Sequence, residues 1–196
     1  ALLPVPSLAM TRIVPDQFPT IQSAMAASAS LGDTVLVRPG TYLEAVNYLG
    51  KDIVLKSIGG PEVTTIDASG RGSAAVYLQS VGSGARLQGF TIKKGSGSVS
   101  WPFVGGGGVH SSDAEGEGPV IEGNWITDNS AYWGGGVLAH GPVRVLRNRI
   151  TYNSAFAEGG GLWVTVSDVG TLTQVISENE VFANRTAGGT NQIGGG

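Results

Sequence analysis

Three segments of the chain share one pattern: Ile121-x-x-Asn124-x-Ile126-x-x-Asn129, Val145-x-x-Asn148-x-Ile150-x-x-Asn153 and Ile176-x-x-Asn179-x-Val181-x-x-Asn184. A fourth, Leu87-x-x-Phe90-x-Ile92-x-x-Gly95, keeps the apolar positions and replaces both asparagines. The central apolar residues, at 92, 126, 150 and 181, lie 34, 24 and 31 positions apart. A second motif alternates with the first: Gly106-Gly107-Gly108-Val109, Gly134-Gly135-Gly136-Val137 and Gly159-Gly160-Gly161-Leu162, with Ser73-Ala74-Ala75-Val76 as an earlier small-residue version. Two motifs in fixed order at a variable period mark a solenoid whose turns accept insertions.

The residues choose between helical and strand coils. A triple glycine in every repeat would cost a helix several times the roughly 1 kcal/mol penalty of one glycine. Within each repeat the apolar positions instead recur at period two, as in Asn124 and Ile126 and then Val137 and Ala139, so alternate side chains point inward. Strands stacked at about 4.8 Å per coil give an all-β fold, a parallel β-helix solenoid of about six to seven coils. The crossover rule makes it right-handed. Stacking places Asn124, Asn148 and Asn179 in one column and Asn129, Asn153 and Asn184 in another, each amide donating to and accepting from its neighbours. Asparagine also tolerates the left-handed conformation of a sharp corner, and the glycines suit a corner that bars a Cβ. A phosphate-binding loop is the rival reading of the glycines, but no Lys-Ser/Thr follows them and no helix pattern opens.

Composition agrees with one domain. The 196 residues are 41% hydrophobic and only 14% charged, with 32 glycines. A net charge of −3 with 12 Lys and Arg gives no basic stripe, so no nucleic-acid partner is expected. Cysteine is absent, which removes disulfides, thiolate metal sites and cysteine nucleophiles and leaves the redox compartment open. No run approaches the roughly 18 apolar residues of a spanning helix, so no membrane span is expected. Residues 1–11 read as an extended or leader segment, with Ser7-Leu8-Ala9 placed like the tail of a secretory signal that lacks its basic start.

Residues 12–33 read as an N-terminal cap with a short helix, and residues 34–196 as the β-helix. Ile21, Ala24, Met25 and Ser28 have helical spacing, with Thr20 or Pro19 as the start. Such a helix would close the open end of the core. Thr20-Ile21-Gln22-Ser23-Ala24-Met25, Gly32-Asp33-Thr34-Val35-Leu36-Val37 and Pro39-Gly40-Thr41-Tyr42-Leu43-Glu44 together resemble the cap and first coil of the pectin-lyase-like right-handed parallel β-helix superfamily. The later Asn and Gly copies are similar to that superfamily's repeats, over about residues 12–190, and more loosely to repeats of polymorphic outer-membrane surface proteins. The resemblance implies the fold far more than the function, because the superfamily includes lyases, hydrolases, esterases, tailspikes, adhesins and non-catalytic surface proteins.

Lyases of that superfamily use an Arg or Lys base, usually with Ca²⁺ held by several acids, and its hydrolases use clustered Asp. Here Asp33, Glu44, Asp52, Glu62, Asp67, Asp128, Glu158 and Asp168 are scattered singly. Arg144, Arg147 and Arg149 form the basic cluster, without acids nearby in sequence, and Arg149 is expected to stack beside Glu180 as a structural ion pair. Asp113, Glu115 and Glu117, with Gly118, imitate the start of a Ca²⁺ loop, against the reading of a solvated insertion. His110 and His140 fall two positions out of register, which disfavours a shared zinc ion. Trp101, Phe103, Tyr132, Trp133 and Phe156 each precede a triple glycine, so they are expected along one edge, either stacking on sugar rings or sealing a turn. Leu138 and Trp163 are expected to enlarge that apolar surface.

The last coil, from Asn184 to the glycines at 188–189, has no polar cap after it, so head-to-tail self-association through an open coil is expected. The functional expectation is a secreted or surface-exposed structural β-helix, extracellular or on the cell surface, that binds a polysaccharide or glycan surface or assembles end to end. A polysaccharide lyase or glycoside hydrolase acting on acidic polysaccharide is the alternative.

Overall fold

Each asparagine repeat folds as two short strands joined by a two-residue corner, and the computed structural model, which describes residues 8–29, 31–97, 99–100, 103–114, 116–165 and 174–187, stacks these repeats in parallel. The chain runs from a seven-stranded sheet to a six-stranded sheet, then through a three-stranded sheet to a five-stranded one, and back. One full coil is Val120–Glu122, Trp125–Thr127, Ser130–Trp133 and Val137–His140. Register follows the repeat: Ile92 pairs with Ile126, Ile126 with Ile150, and Ile150 with Val181. The same column continues upward through Ile66 to Tyr42, coils whose motifs have lost their asparagines. Val76 pairs with Val109 and Val109 with Val137, so Ser73 to Ala75 occupy the glycine positions of an earlier coil. The described residues form a parallel β-solenoid, all-β among them apart from the helix Ile21–Ala27.

The inward residues form one continuous core, with Val35, Leu55, Leu87, Ile121 and Val145 stacked in register and fully buried. In the last described coil the same column ends in Ile176, 47% exposed, and Val181 is only half-buried, as are Leu162 and Val164 on the final strand of the five-stranded sheet. The opposite end is closed. Ile21, Ala24 and Met25 lie buried against the first coils, and Thr20 caps the helix by accepting from the Ser23 amide. Glu44 accepts from the Ile21 and Gln22 amides at 2.9 and 2.8 Å, while Lys51 donates to the carbonyls of Met25, Ala26 and Ser28. A carboxylate thus meets the helix N-terminus and an ammonium its C-terminus, which complements the helix dipole. The first coil begins earlier than residue 34: Thr11–Val14 is a strand of the seven-stranded sheet, paired with Leu31–Val37.

The corners differ from the expectation in one respect. The left-handed residue is the one before each asparagine: Gly123, Asp128, Arg147, Tyr152, Glu178 and Ala183 all have φ between 53° and 62°. The turn frees the asparagine side chain to point into the core, where its polar atoms replace a strand partner. Asn153 Nδ2 donates to the Ile126 carbonyl at 2.8 Å and to Asn184 Oδ1 at 3.0 Å. Asn153 Oδ1 accepts from both the amide and the side chain of Asn129. Asn124, Asn148 and Asn179 repeat the pattern at the other corner. The columns end upward on the backbone amides of Phe90 and Gly95, which donate to Asn124 and Asn129.

The triple glycines are required by close approach. A Cβ on Gly135 would lie 2.3 Å from the Ser154 carbonyl oxygen and 2.5 Å from that of Gly160. Adjacent coils there run backbone against backbone.

Asn153→Ala should destabilise the protein by about 2 to 4 kcal/mol, because it strands the Ile126 carbonyl and the Asn129 amide in the core. Asp128→Gly, on the exposed corner beside it, should stay within about 1 kcal/mol of the parent; urea unfolding compares the two. A second expectation concerns pH. Burial alone would raise the Asp33 carboxyl, but the Met10 and Ala29 amides and the Arg12 guanidinium, 2.5 Å away, outweigh it and hold Asp33 below its ordinary value. A depressed folded value gives stability that is complete above the unfolded carboxyl's value of about 3.9 and is lost as pH falls through the folded one. Acid unfolding should therefore be less steep in Asp33→Asn, read by circular dichroism below about pH 4.

Candidate functional site

Of the five aromatics expected along one edge, Tyr132, Trp133 and Phe156 have described side chains, and these pack on one another and on Trp163. Tyr132 and Trp133 lie on Ser130–Trp133, and Phe156 on the adjacent Ser154–Glu158. Trp133 stacks on Trp163 of the five-stranded sheet with centroids 5.2 Å apart and planes at 9°. Tyr132 meets Trp133 edge-on at 5.0 Å and Phe156 at 5.4 Å. Ring faces that pile along the solenoid axis cover each other, which suits a seal over the glycine corner better than a platform for sugars. Trp101 lies outside the described residues, as does the side chain of Phe103. Leu138 departs from expectation: it points outward, in register with His110 and Trp163, yet is only 4% exposed. The glycine turns explain this, since a Cβ on Gly106 or Gly134 would sit 2.8 or 2.7 Å from the Leu138 Cβ. The backbone passes directly over that side chain, so Leu138 adds nothing to an apolar surface.

The acidic segment is held by its neighbours. Asp113 accepts from Gln79 Nε2 at 3.2 Å, Glu117 lies 3.7 Å from Arg144, and Glu115 falls outside the described residues. Among the described residues no three His, Asp or Glu side chains gather where one cation would reach them. His110 pairs in register with Leu138, while His140 Nδ1 lies 2.8 Å from Thr165 Oγ1. Burial, with the nearby His140 acting in the same direction, pushes His110 below the ordinary imidazole value, against the raising effect of Asp113.

A mixed-charge groove opens where the seven- and six-stranded sheets meet. Arg147 and Arg149 flank the buried Asn148. The acids missing from their own stretch of sequence come from the coils above and below: Glu122 hydrogen-bonds Arg147, Glu178 lies 3.8 Å from it, and Glu180 lies 3.9 Å from Arg149. The Arg149 guanidinium sits over two rings, 5.9 Å from the centroid of Trp125 and 5.3 Å from that of Phe182. Trp125, Arg147, Asn148, Arg149, Glu178 and Glu180 line a hollow of about 420 Å³. On the other side of the Trp125 and Arg149 pair, Thr127, Thr151 and Tyr152 help line a second hollow of about 210 Å³.

Burial works to raise the Glu122 carboxyl, but hydrogen bonds from Arg147 and Gln88 outweigh it, so the net direction is downward. The Glu122 hydrogen bond in turn lifts Arg147 above the ordinary guanidinium range. A base for proton abstraction would need the opposite shift in its arginine, and a general acid the opposite shift in its carboxyl. Both shifts favour the charged forms of the pair.

Comparison with family models, curated proteins and solved structures finds no match to this chain. The groove contains two of the three clustered arginines and the expected Arg149–Glu180 contact, but Trp125 and Phe182 carried no signal of their own. Only register reveals them: Trp125 is one coil from Arg149, and Phe182 is two positions from Glu180 on the next strand.

The stacked indoles give a direct check. Trp163→Phe should abolish the coupled tryptophan band in near-ultraviolet circular dichroism and lower stability by about 1 kcal/mol.

Proposed function

We propose that this protein is a structural β-solenoid that binds carbohydrate through the groove around Trp125, Arg149 and Phe182, working outside the cell or on its surface. The observation that carries the reading is the Arg149 guanidinium held over two half-exposed aromatic rings with Glu180 beside it. Sugars offer flat C–H faces to rings and hydroxyls to fixed donors and acceptors, and this groove supplies both on three successive coils. Kinship with the pectin-lyase-like superfamily belongs to the same proposal, supported by the cap and repeat motifs. The aromatic edge of Tyr132, Trp133 and Phe156 takes the structural part, with the half-exposed Phe156 as its only ring open enough to add a contact. End-to-end association would use the half-buried apolar residues of the last described coil, since Ile21, Ala24 and Met25 plug the other end of the core.

A second reading, a lyase or hydrolase on acidic polysaccharide, draws on the convergence of Glu122 and Glu178 at Arg147. The directions of the Glu122 and Arg147 shifts place it second. Turnover of a polyuronate panel into unsaturated or reducing ends, with and without Ca²⁺, would reverse the order.

Trp125→Ala should weaken retention on a polysaccharide affinity gel by about tenfold, roughly 1.4 kcal/mol, without moving the melting temperature by more than a few degrees. Phe156→Ala should change retention less than twofold. The reverse ranking would return the site to the aromatic edge.

A further inference from the structure

A third hollow lies beyond the groove along the solenoid axis. Lys56, Ser57, Gly60, Gln88, Glu122 and Gly123 help line about 440 Å³ at the same corner, in the coils above Arg147. The two spaces abut at one bridge: Glu122 belongs to the upper hollow, and its partner Arg147 to the lower. Their walls follow the register of the seven-stranded sheet, in which Lys56 pairs with Gln88, Gln88 with Glu122, Glu122 with Leu146 and Leu146 with Ser177. The two hollows together span five consecutive coils, about 19 Å at about 4.8 Å per coil, and form one trough along the axis if a ligand crosses the bridge between them. Its floor at the upper corners is glycine. A Cβ on Gly123 would meet nothing within 4 Å, so the space above it is open.

The charges along this trough alternate in sign. Lys56 is followed by Glu122, then Arg147 and Arg149, then Glu178 and Glu180. A polyanion laid along the axis would be drawn to the cations and repelled at every carboxylate, and a polycation would meet the reverse. Gln88 donates to Glu122 at 2.8 Å, which fixes that carboxylate in place. A polyhydroxylated neutral chain suffers no such repulsion, because each hydroxyl both donates and accepts and so matches either sign.

We infer that the ligand is a neutral polysaccharide bound as an extended chain parallel to the solenoid axis, crossing the Glu122–Arg147 bridge. This rests on the proposed carbohydrate-binding role and sets its substrate class apart from the acidic polysaccharides of the enzymatic reading. It also predicts that short oligomers, confined to one hollow, bind more weakly than oligomers long enough to occupy both.

The test is isothermal titration with the full chain. It uses size-graded neutral gluco- and manno-oligosaccharides, oligogalacturonate and chitosan oligomers, each at low and at high salt. Affinity for the neutral series should rise at least tenfold as the oligomer grows past one hollow, and should change less than threefold with salt. Gly123→Tyr fills the trough at the bridge. Gly123 turns at φ 62°, where any side chain costs some backbone strain, but the neighbouring corner carries Tyr152 at φ 56°. That variant should weaken long neutral oligomers to the level of short ones. Should it alter the melting temperature, Gly123→Asn makes the same test with a residue suited to that conformation. Preference for oligogalacturonate or chitosan, or neutral binding with no dependence on length or on the residue at 123, would overturn the inference while leaving carbohydrate binding intact. Failure to bind any of the three series would overturn both.

Discussion

The structure depends on keeping buried backbone polar groups partnered where strands stop. A solenoid turns several corners per coil, and each corner interrupts the ladder of a parallel sheet, leaving amides and carbonyls facing an apolar interior. The two asparagine columns solve this from inside. Each amide group reaches the carbonyl of a strand residue one coil above, while its oxygen takes the amide and side chain of that coil's own asparagine. Removing one member breaks contacts in two coils, so the columns couple neighbouring rungs more tightly than strand pairing alone. Where the asparagines stop, at Phe90 and Gly95, bulk and closeness take over. Phe90 is fully buried, and a Cβ on Gly95 would lie 2.0 Å from the Gly107 oxygen.

Much of this fold was legible in the sequence because stacking converts a period into a register. The Asn and triple-glycine motifs indicated parallel coils and the column of Ile92, Ile126, Ile150 and Val181, and the spacing of Ile21, Ala24 and Met25 indicated a capping helix that starts at Thr20 or Pro19. Two details were not legible. The left-handed residue is Asp128 or Tyr152 rather than the asparagine that follows, since both positions tolerate the turn and only the hydrogen bonds decide between them. The burial of Leu138 was also invisible, because strand alternation says outward while the glycine backbone crossing above it says covered.

The candidate site was legible only in half. Sequence alone shows charges beside each other along the chain, and in a solenoid the decisive neighbours are one coil away. Arg147 therefore looked unpartnered although Glu122 and Glu178 lie on either side of it along the axis. The aromatic edge was the stronger sequence signal, yet its described rings pack against each other, Trp133 face to face with Trp163 and Tyr132 tilted against Phe156. Trp125, isolated in sequence, keeps its place beside an arginine on an open groove. Sites on this architecture are columns, and a column has no signature until the register is known.

The corner geometry has a consequence for how such a surface diversifies. The residue before each inward asparagine turns left-handed and projects away from the core, and across the described coils that place is filled by glycine, acid, base, phenol and methyl in turn. The structural duty rests with the asparagine, so its neighbour is released from it. Each rung thus carries outward stations that can be redecorated without repacking the interior, at a modest local conformational cost. The molecule separates a fixed inner grammar from a freely written outer face, and new binding specificities can be composed on it one coil at a time.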